Sequence, residues 1–237
     1  MFGKNTIRKA VRNEDGLYLQ THSVFLTIQG EGPHAGRRAV FIRLTGCHLA
    51  CTFCDTFWDD EHDAYVSIDD LAARVTTLWG NAARPLFVLT GGEPTRQNLG
   101  PLVRKLAAWK NSAIQIETAG SFWQEALGLS CVDVVVSPKT RFVDPNVAEI
   151  ACAYKYVIRA TDEFTPQGIP VTMTQNHGRP TNLAPPAGHL RTDEIYLTPC
   201  DEQNEEINAA NCAKCVELAL THGYRVNVQI HKILGLE

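Results

Sequence analysis

The sequence predicts an α/β fold in which a mostly parallel sheet is covered by helices. Three observations lead there. Short, continuous apolar runs recur along the chain, as strands buried on both faces require. Stretches with apolar residues at helical spacing separate these runs. The motifs that carry chemistry then fall directly after apolar runs, where the carboxyl ends of parallel strands collect functional loops.

The elements follow in order. AVFIRLTG (39–46) reads as a buried strand that feeds a cysteine loop. SIDDLAARVTTLWG (67–80) reads as a helix, with Ser67 and Asp70 as a variant capping box and Gly80 as its stop. PLFVLT (85–90) is a second strand, ending at GGEP, and GPLVRKLAAWK (100–110) a second helix. AIQIET (113–118), CVDVVVSPK (131–139), AYKYVI (153–158) and DEIYLTP (193–199) read as further strands. EEINAANCAKCVELALTHG (205–223) is a long helix, and YRVNVQIH (224–231) a last strand. The Pro-, Gly-, Thr- and Asn-rich stretch from Ala160 to Arg191 reads as an irregular connection inside one domain spanning 1–237. Right-handed crossovers between such strands place the cysteine loop, TGGEP and SPK at one end of the sheet.

The 237 residues suffice for one large domain with a sizeable core, and 44% hydrophobic residues is a globular composition. A net charge of −4 gives no sign of a general nucleic-acid surface. No apolar run approaches a membrane span, and MFGKNTIRKAVRNEDGLYLQ has charges without an apolar signal core. The expectation is a cytoplasmic protein without a membrane or nucleic-acid partner. In such a chain, clustered cysteines bind metal or do redox work more often than they form disulfides.

Cys47, Cys51 and Cys54 form C-x3-C-x2-C on the loop after the first apolar strand. Three readings compete. The thiols could be reduced and partly buried. They could bind zinc, although a structural zinc site takes four protein ligands, and the ring of adjacent His48 would point away. They could hold a [4Fe-4S] cluster, leaving one iron open for a substrate or cofactor. TGGEP (90–94) is either an ordinary strand-to-loop turn or a close backbone approach to a ligand, which glycines permit. Glu93 reads as structural or ligand-binding, and Glu117 as a strand-end acid that is solvated or meets a ribose hydroxyl.

Together, C-x3-C-x2-C after a strand and the GGE motif resemble the radical S-adenosylmethionine superfamily. The resemblance implies an open, partial (β/α) barrel. It also implies that the open iron chelates the cofactor and that a 5′-deoxyadenosyl radical abstracts hydrogen, with the protein positioning and shielding that chemistry. It names no single side chain as catalytic.

A narrower set of matches, FLTIQGEGPHAGRRAVFIRLTGC, CDT, TGGEP, ETAG, VSPK and VQIHKILGLE, resembles the 7-carboxy-7-deazaguanine synthase family from about Ser23 onward. This implies a carbon–nitrogen lyase of queuosine and 7-deazapurine biosynthesis. Such an enzyme contracts 6-carboxy-5,6,7,8-tetrahydropterin to 7-carboxy-7-deazaguanine with loss of ammonia. The implied cofactors are a [4Fe-4S] cluster on Cys47, Cys51 and Cys54, S-adenosylmethionine, and Mg2+ on Thr56. Phe53, Cys54, Asp55, Gly92, Glu117, Ser137, Pro138 and Lys139 would meet the cofactor. Ile28, Gln29, Gly30, Arg43 and Thr90 would meet the substrate. A flavodoxin- or ferredoxin-like reductant and a homodimer are further implications.

The chain departs from the family pattern at Thr198-Pro199, where QP is usual, and at Ile230, where QTHK is usual. His231 and Lys232 either hold substrate or end the last strand. Cys200, Cys212 and Cys215 read as buried or surface thiols in preference to a second metal site, and His34 as a loop residue. A glycyl-radical activating enzyme and a zinc-stabilised binding module are the rival readings.

Overall fold

A computed structural model describes residues 7–8, 14–56, 64–175 and 179–236. Most of the N-terminal segment that lacks a signal core lies outside the described residues, as do Phe57 and Trp58 after the cysteine loop.

Strand β1 (Tyr18–Ile28) pairs antiparallel with β2 (Arg38–Leu44), and on its other side with β3 (Ala64–Ser67). Helix α1 (Ile68–Trp79), strand β4 (Leu86–Gly91), α2 (Gly100–Ala107) and β5 (Ala113–Thr118) follow. Then come β6 (Val132–Val136), α3 (Pro145–Ile150), β7 (Ala151–Ile158) and a hairpin of β8 (Thr172–Gln175) and β9 (Arg179–Asn182). The chain continues through β10 (Ile195–Pro199), α4 (Glu205–His222), β11 (Arg225–Val226) and α5 (Ile230–Ile233). The main sheet runs β11-β10-β7-β6-β5-β4-β2-β1-β3. Every neighbouring pair from β2 to β11 is parallel. Among the described residues β3 and β11 remain unpaired edges, so the sheet is an open barrel.

Local chemistry sets the helices. Ser67 Oγ accepts the Asp70 N–H at 3.1 Å and donates to the Asp70 carboxylate at 2.6 Å, so the two side chains bond to each other at the start of α1. Leu71, Val75 and Trp79 then bury one face of α1, each contributing roughly 1.5–3 kcal/mol. Asn204 Oδ1 caps α4 by accepting the Ile207 N–H at 3.1 Å, and Glu205 and Glu206 complement the helix dipole.

The period of two along the strands separates two surfaces. Ile42, Leu44, Leu89, Ile116, Val134, Tyr156 and Leu197 face the helices in one buried cluster. Their alternates include Arg43, Thr90, Gln115, Glu117, Lys155 and Thr198. Apart from Gln115, these line the cavity on the sheet's other face.

Strands β1 and β3 and helix α3 were not expected from the sequence, and three expected elements take another form. The strand expected over 224–231 pairs only at Arg225–Val226. Gln229 takes a left-handed conformation (φ 50°), which turns the chain into the short helix holding Ile230 and His231. The strand expected over 131–139 stops at Val136, which frees Ser137, Pro138 and Lys139 as a loop. The connection from Ala160 to Arg191 carries the β8–β9 hairpin. No described helix is long and apolar enough to cross a membrane.

Candidate active site

A cavity of about 260 Å³ opens on the concave face of the sheet. Of the residues assigned from the sequence, all line it except Gly30 and Pro138. Residues from Cys47 to Thr56 form one rim, and Thr90 and Gly92 follow β4. Ser137 and Lys139 follow β6, and Thr198 to Asp201 stand at the end of β10.

The GGE turn is built for close packing. A Cβ on Gly92 would lie 2.3 Å from the Gly46 carbonyl oxygen and 2.9 Å from Cys47 Cβ. Glycine therefore lets this turn rest directly on the cysteine loop. The Gly92 N–H donates to the Leu44 carbonyl at 3.1 Å, and the Glu93 N–H to the Gly46 carbonyl at 2.9 Å. Glu93 is structural. It is 1% exposed, and its carboxylate accepts from Thr95 N–H (3.1 Å), Thr95 Oγ1 (2.6 Å), Thr118 Oγ1 (2.6 Å) and Ala119 N–H (2.7 Å). It ties the turn after β4 to the ETAG segment after β5.

Three further contacts hold the cysteine loop. Cys47 and Arg8 exchange both backbone hydrogen bonds. His48 donates or accepts through Nε2 at Ser121 Oγ (3.1 Å) and packs edge-on against Phe122. The Arg159 guanidinium lies 5.6 Å from the Phe53 ring centre and pairs with Glu202 at 3.2 Å. Burial, with Glu93 and the two other thiols nearby, pushes the Cys47 thiol up to about 12.

The floor of the cavity is a charged network that the sequence assignments only partly covered. Lys155 is buried, and its ammonium donates to Glu31 and, at 3.0 Å, to Glu117 Oε2. Gln29 Nε2 (3.1 Å) and Gln115 Nε2 (2.8 Å) donate to Glu117 Oε1. Gln229 Nε2 donates to Glu31 Oε1 at 2.7 Å. Burial alone would raise the Glu31 carboxyl, but the charge and hydrogen bond of Lys155 outweigh it and bring the carboxyl to about 2. Burial would lower Lys155, but its two carboxylates outweigh that and raise it. Two carboxylates and one ammonium leave the floor with one net negative charge.

The β1–β2 loop carries Gln29 and Glu31 across the concave face. Its Gly30 touches the C-terminal segment, where a Cβ would lie 1.9 Å from His231 Nδ1. That contact explains why Gly30 itself stands outside the cavity lining. His231 and Lys232 do line the cavity. Burial lowers the His231 imidazole, while Glu31 opposes that. Lys232 donates to Asp201 at 3.1 Å. Arg43 lies 5.3 Å from the Phe25 ring centre, at the cavity wall. His34 is more than a loop residue: its ring bonds Asp133 at 2.7 Å and Arg37 at 2.8 Å.

The donor set fits a cluster. None of Cys47, Cys51 and Cys54 is in a disulfide, and all three stand on one rim. Yet among the described residues no three metal-ligating side chains gather closely enough to grip one ion. In an iron–sulfur cube each thiolate would take a different iron, whereas a zinc site needs its ligands around one ion. Asp55 and Thr56 place hard oxygen ligands beside the thiols. Cys215 is buried in the core and Cys212 is half-buried, so neither joins Cys200 in a second metal site among the described residues.

Glu31, Gln115, Lys155, Asn227 and Gln229 were not singled out from the sequence. Lys155 had a signal: a lone cation inside the apolar run AYKYVI requires buried partners.

Fold and cysteine loop together define a class, the open (β/α) barrel of the radical S-adenosylmethionine type. The crystal structure of QueE from Escherichia coli shares this fold, with TM-score 0.61 at 24% identity over 88% of this chain and 92% of that one. The 7-carboxy-7-deazaguanine synthase of Rhodospirillum rubrum is 39% identical over the full length of both chains. That of Rickettsia prowazekii is 33% identical over all of this chain and 96% of its own. No family model matches the chain. The chain belongs to the 7-carboxy-7-deazaguanine synthase family.

Proposed function

We propose that this protein converts 6-carboxy-5,6,7,8-tetrahydropterin to 7-carboxy-7-deazaguanine and ammonia. The observation that carries the reading is one cavity with three cysteines outside any disulfide at its rim and the Glu31–Lys155–Glu117 network at its floor. Cys47, Cys51 and Cys54 would hold a [4Fe-4S] cluster. Gly92, Ser137, Pro138 and Lys139, with Phe53 and Asp55, would hold S-adenosylmethionine, and Thr56 would hold Mg2+. When bound, these groups supply one-electron reduction and hydrogen-atom abstraction.

The protein's own residues supply recognition. A carboxylated pterin presents N–H donors on its pyrimidine edge, which match the partly buried carboxylate of Glu31 and, in place of the cofactor contact expected of it from the sequence, that of Glu117. Its carboxylate matches the guanidinium of Arg43, and Ile28, Gln29, Gly30 and Thr90 complete the substrate wall. The substrate holds the atoms of product plus ammonia, so the reaction consumes no net oxidant. A flavodoxin- or ferredoxin-like protein would supply the priming electron, and the working unit would be a homodimer in the cytoplasm.

The test is anaerobic turnover. Reconstituted protein is combined with S-adenosylmethionine, Mg2+, reductant and the carboxypterin, and products are read by mass spectrometry. Formation of 7-carboxy-7-deazaguanine, abolished in Cys51→Ala, is the expected result. 5′-Deoxyadenosine without that product would assign the radical chemistry to another substrate. Zinc in place of iron and labile sulfide would overturn the reading altogether.

A further inference from the structure

We propose that Asn227 is a positioning residue that sets Gln29 and Glu31 for the substrate. The proposal rests on the reading of the β1–β2 loop as a substrate wall. Strand pairing leaves the two edges of the main sheet apart, with β1 and β3 at one and β11 at the other. The loop between β1 and β2 runs instead over strands in the middle of the sheet. Gly32 there lies 3.8 Å, measured from an added Cβ, from the Gln115 amide of β5 and 4.0 Å from Val135 of β6. The segment just after β11 then meets the loop.

Asn227 is 4% exposed and makes three hydrogen bonds. Its Oδ1 accepts the Gly32 N–H at 3.0 Å, and its Nδ2 donates to Thr198 Oγ1 at 2.8 Å. Its backbone N–H donates to the Leu197 carbonyl at 2.8 Å, which continues the β10–β11 ladder. The next residues add to the clasp. Gln229 Nε2 donates to Glu31 Oε1 at 2.7 Å, and the Ile230 N–H to the Gly30 carbonyl at 3.2 Å. Three successive loop residues, Gly30, Glu31 and Gly32, thus each share one bond with residues 227–230, the first two accepting and Gly32 donating.

Within residues 227–230 Asn227 is the joint of this clasp, because its side chain ties its own segment to the β1–β2 loop and to β10. An amide is suited to it, accepting from a backbone N–H on one side and donating to a hydroxyl on the other. Removing it leaves a buried N–H and a buried hydroxyl without their partner, and the loop that carries Gln29 and Glu31 loosens. The clasp acts on substrate binding in ground state and transition state alike, so its loss falls on KM.

The experiment compares Asn227→Ala, Thr198→Val and Gln29→Ala under saturating S-adenosylmethionine. Asn227→Ala is expected to raise KM for the carboxypterin about tenfold or more, with kcat changed less than about threefold. Hydrogen exchange in the β1–β2 loop should rise in the same variant. Thr198→Val keeps the shape, removes the hydroxyl, and should give a smaller KM increase; it also serves if Asn227→Ala fails to fold. A wild-type KM in both Asn227→Ala and Thr198→Val, whatever the change in kcat, overturns the proposal. If Gln29→Ala leaves KM unchanged in a protein that turns over the carboxypterin, the substrate reading of the loop is what fails.

Discussion

Lys155 on β7 donates to Glu117 on β5 at 3.0 Å, reaching across the intervening strand β6. The same ammonium reaches Glu31 on the β1–β2 loop. Side chains of 11% and 16% exposure make this a buried pair, in which each charge depends on the other. Lys155→Met leaves two carboxylates close together without their counter-charge. Loss of one partner of a buried pair costs about 3–5 kcal/mol. The expected outcome is a markedly lower urea midpoint at pH 7 with an unchanged m-value, read by circular dichroism.

The same network predicts an acid response. The Glu31 carboxyl sits at about 2 in the folded protein, below its ordinary value of 4.5. A depressed carboxyl adds stability that is complete above the unfolded value and disappears as pH falls through the folded one. Stability from this site should therefore decline between about pH 4.5 and about pH 2. Glu31→Gln, which cannot titrate, should flatten that part of the profile. An equally steep decline in urea midpoint for Glu31→Gln would remove Glu31 as its source.

Much of this molecule was legible from residue order, and the unread parts have physical causes. AIQIET gave strand β5 to the residue, because its apolar run is bounded on both sides. Ser67 and Gly80 gave α1, because caps act locally. The cysteine loop was legible because three thiols at close spacing leave few uses. Strand β1 was not, since a register shift between Thr21 and Ser23 breaks its alternation. The charged floor was not, because Glu31 and Glu117 lie 124 and 38 residues from Lys155 in sequence. Asn227 read as part of a strand, and only the turn at Gln229 shows that it ends one.

Gly92→Ala tests the packing of the GGE turn. The added methyl would stand 2.3 Å from the Gly46 carbonyl oxygen, a backbone atom that cannot swing aside. Overpacking of this kind costs roughly 1–3 kcal/mol. The turn and the cysteine loop must separate to relieve it, so binding of S-adenosylmethionine should weaken along with stability. Calorimetric titration and thermal denaturation of the reconstituted protein check both. Wild-type affinity with wild-type stability would show that the turn accommodates a side chain.

The pairing of Arg8 with Cys47 makes the last prediction. The Arg8 N–H donates to the Cys47 carbonyl at 3.0 Å, and the Cys47 N–H to the Arg8 carbonyl at 2.7 Å. The N-terminal segment thus fixes the backbone of the first cysteine of the cysteine loop. Arg8→Pro removes one donor and leaves the Cys47 carbonyl without it. Arg8→Ala keeps both backbone bonds and removes only the side chain beyond Cβ. If the backbone pair steadies the loop, the cluster of Arg8→Pro should bleach in air several-fold faster than wild type, followed by visible absorbance. Arg8→Ala should stay within about twofold of wild type, because the backbone pair is intact. Equal bleaching in the two variants would move the effect to the arginine side chain. A proline variant as durable as wild type would show that Cys47 is held by the loop and the GGE turn alone.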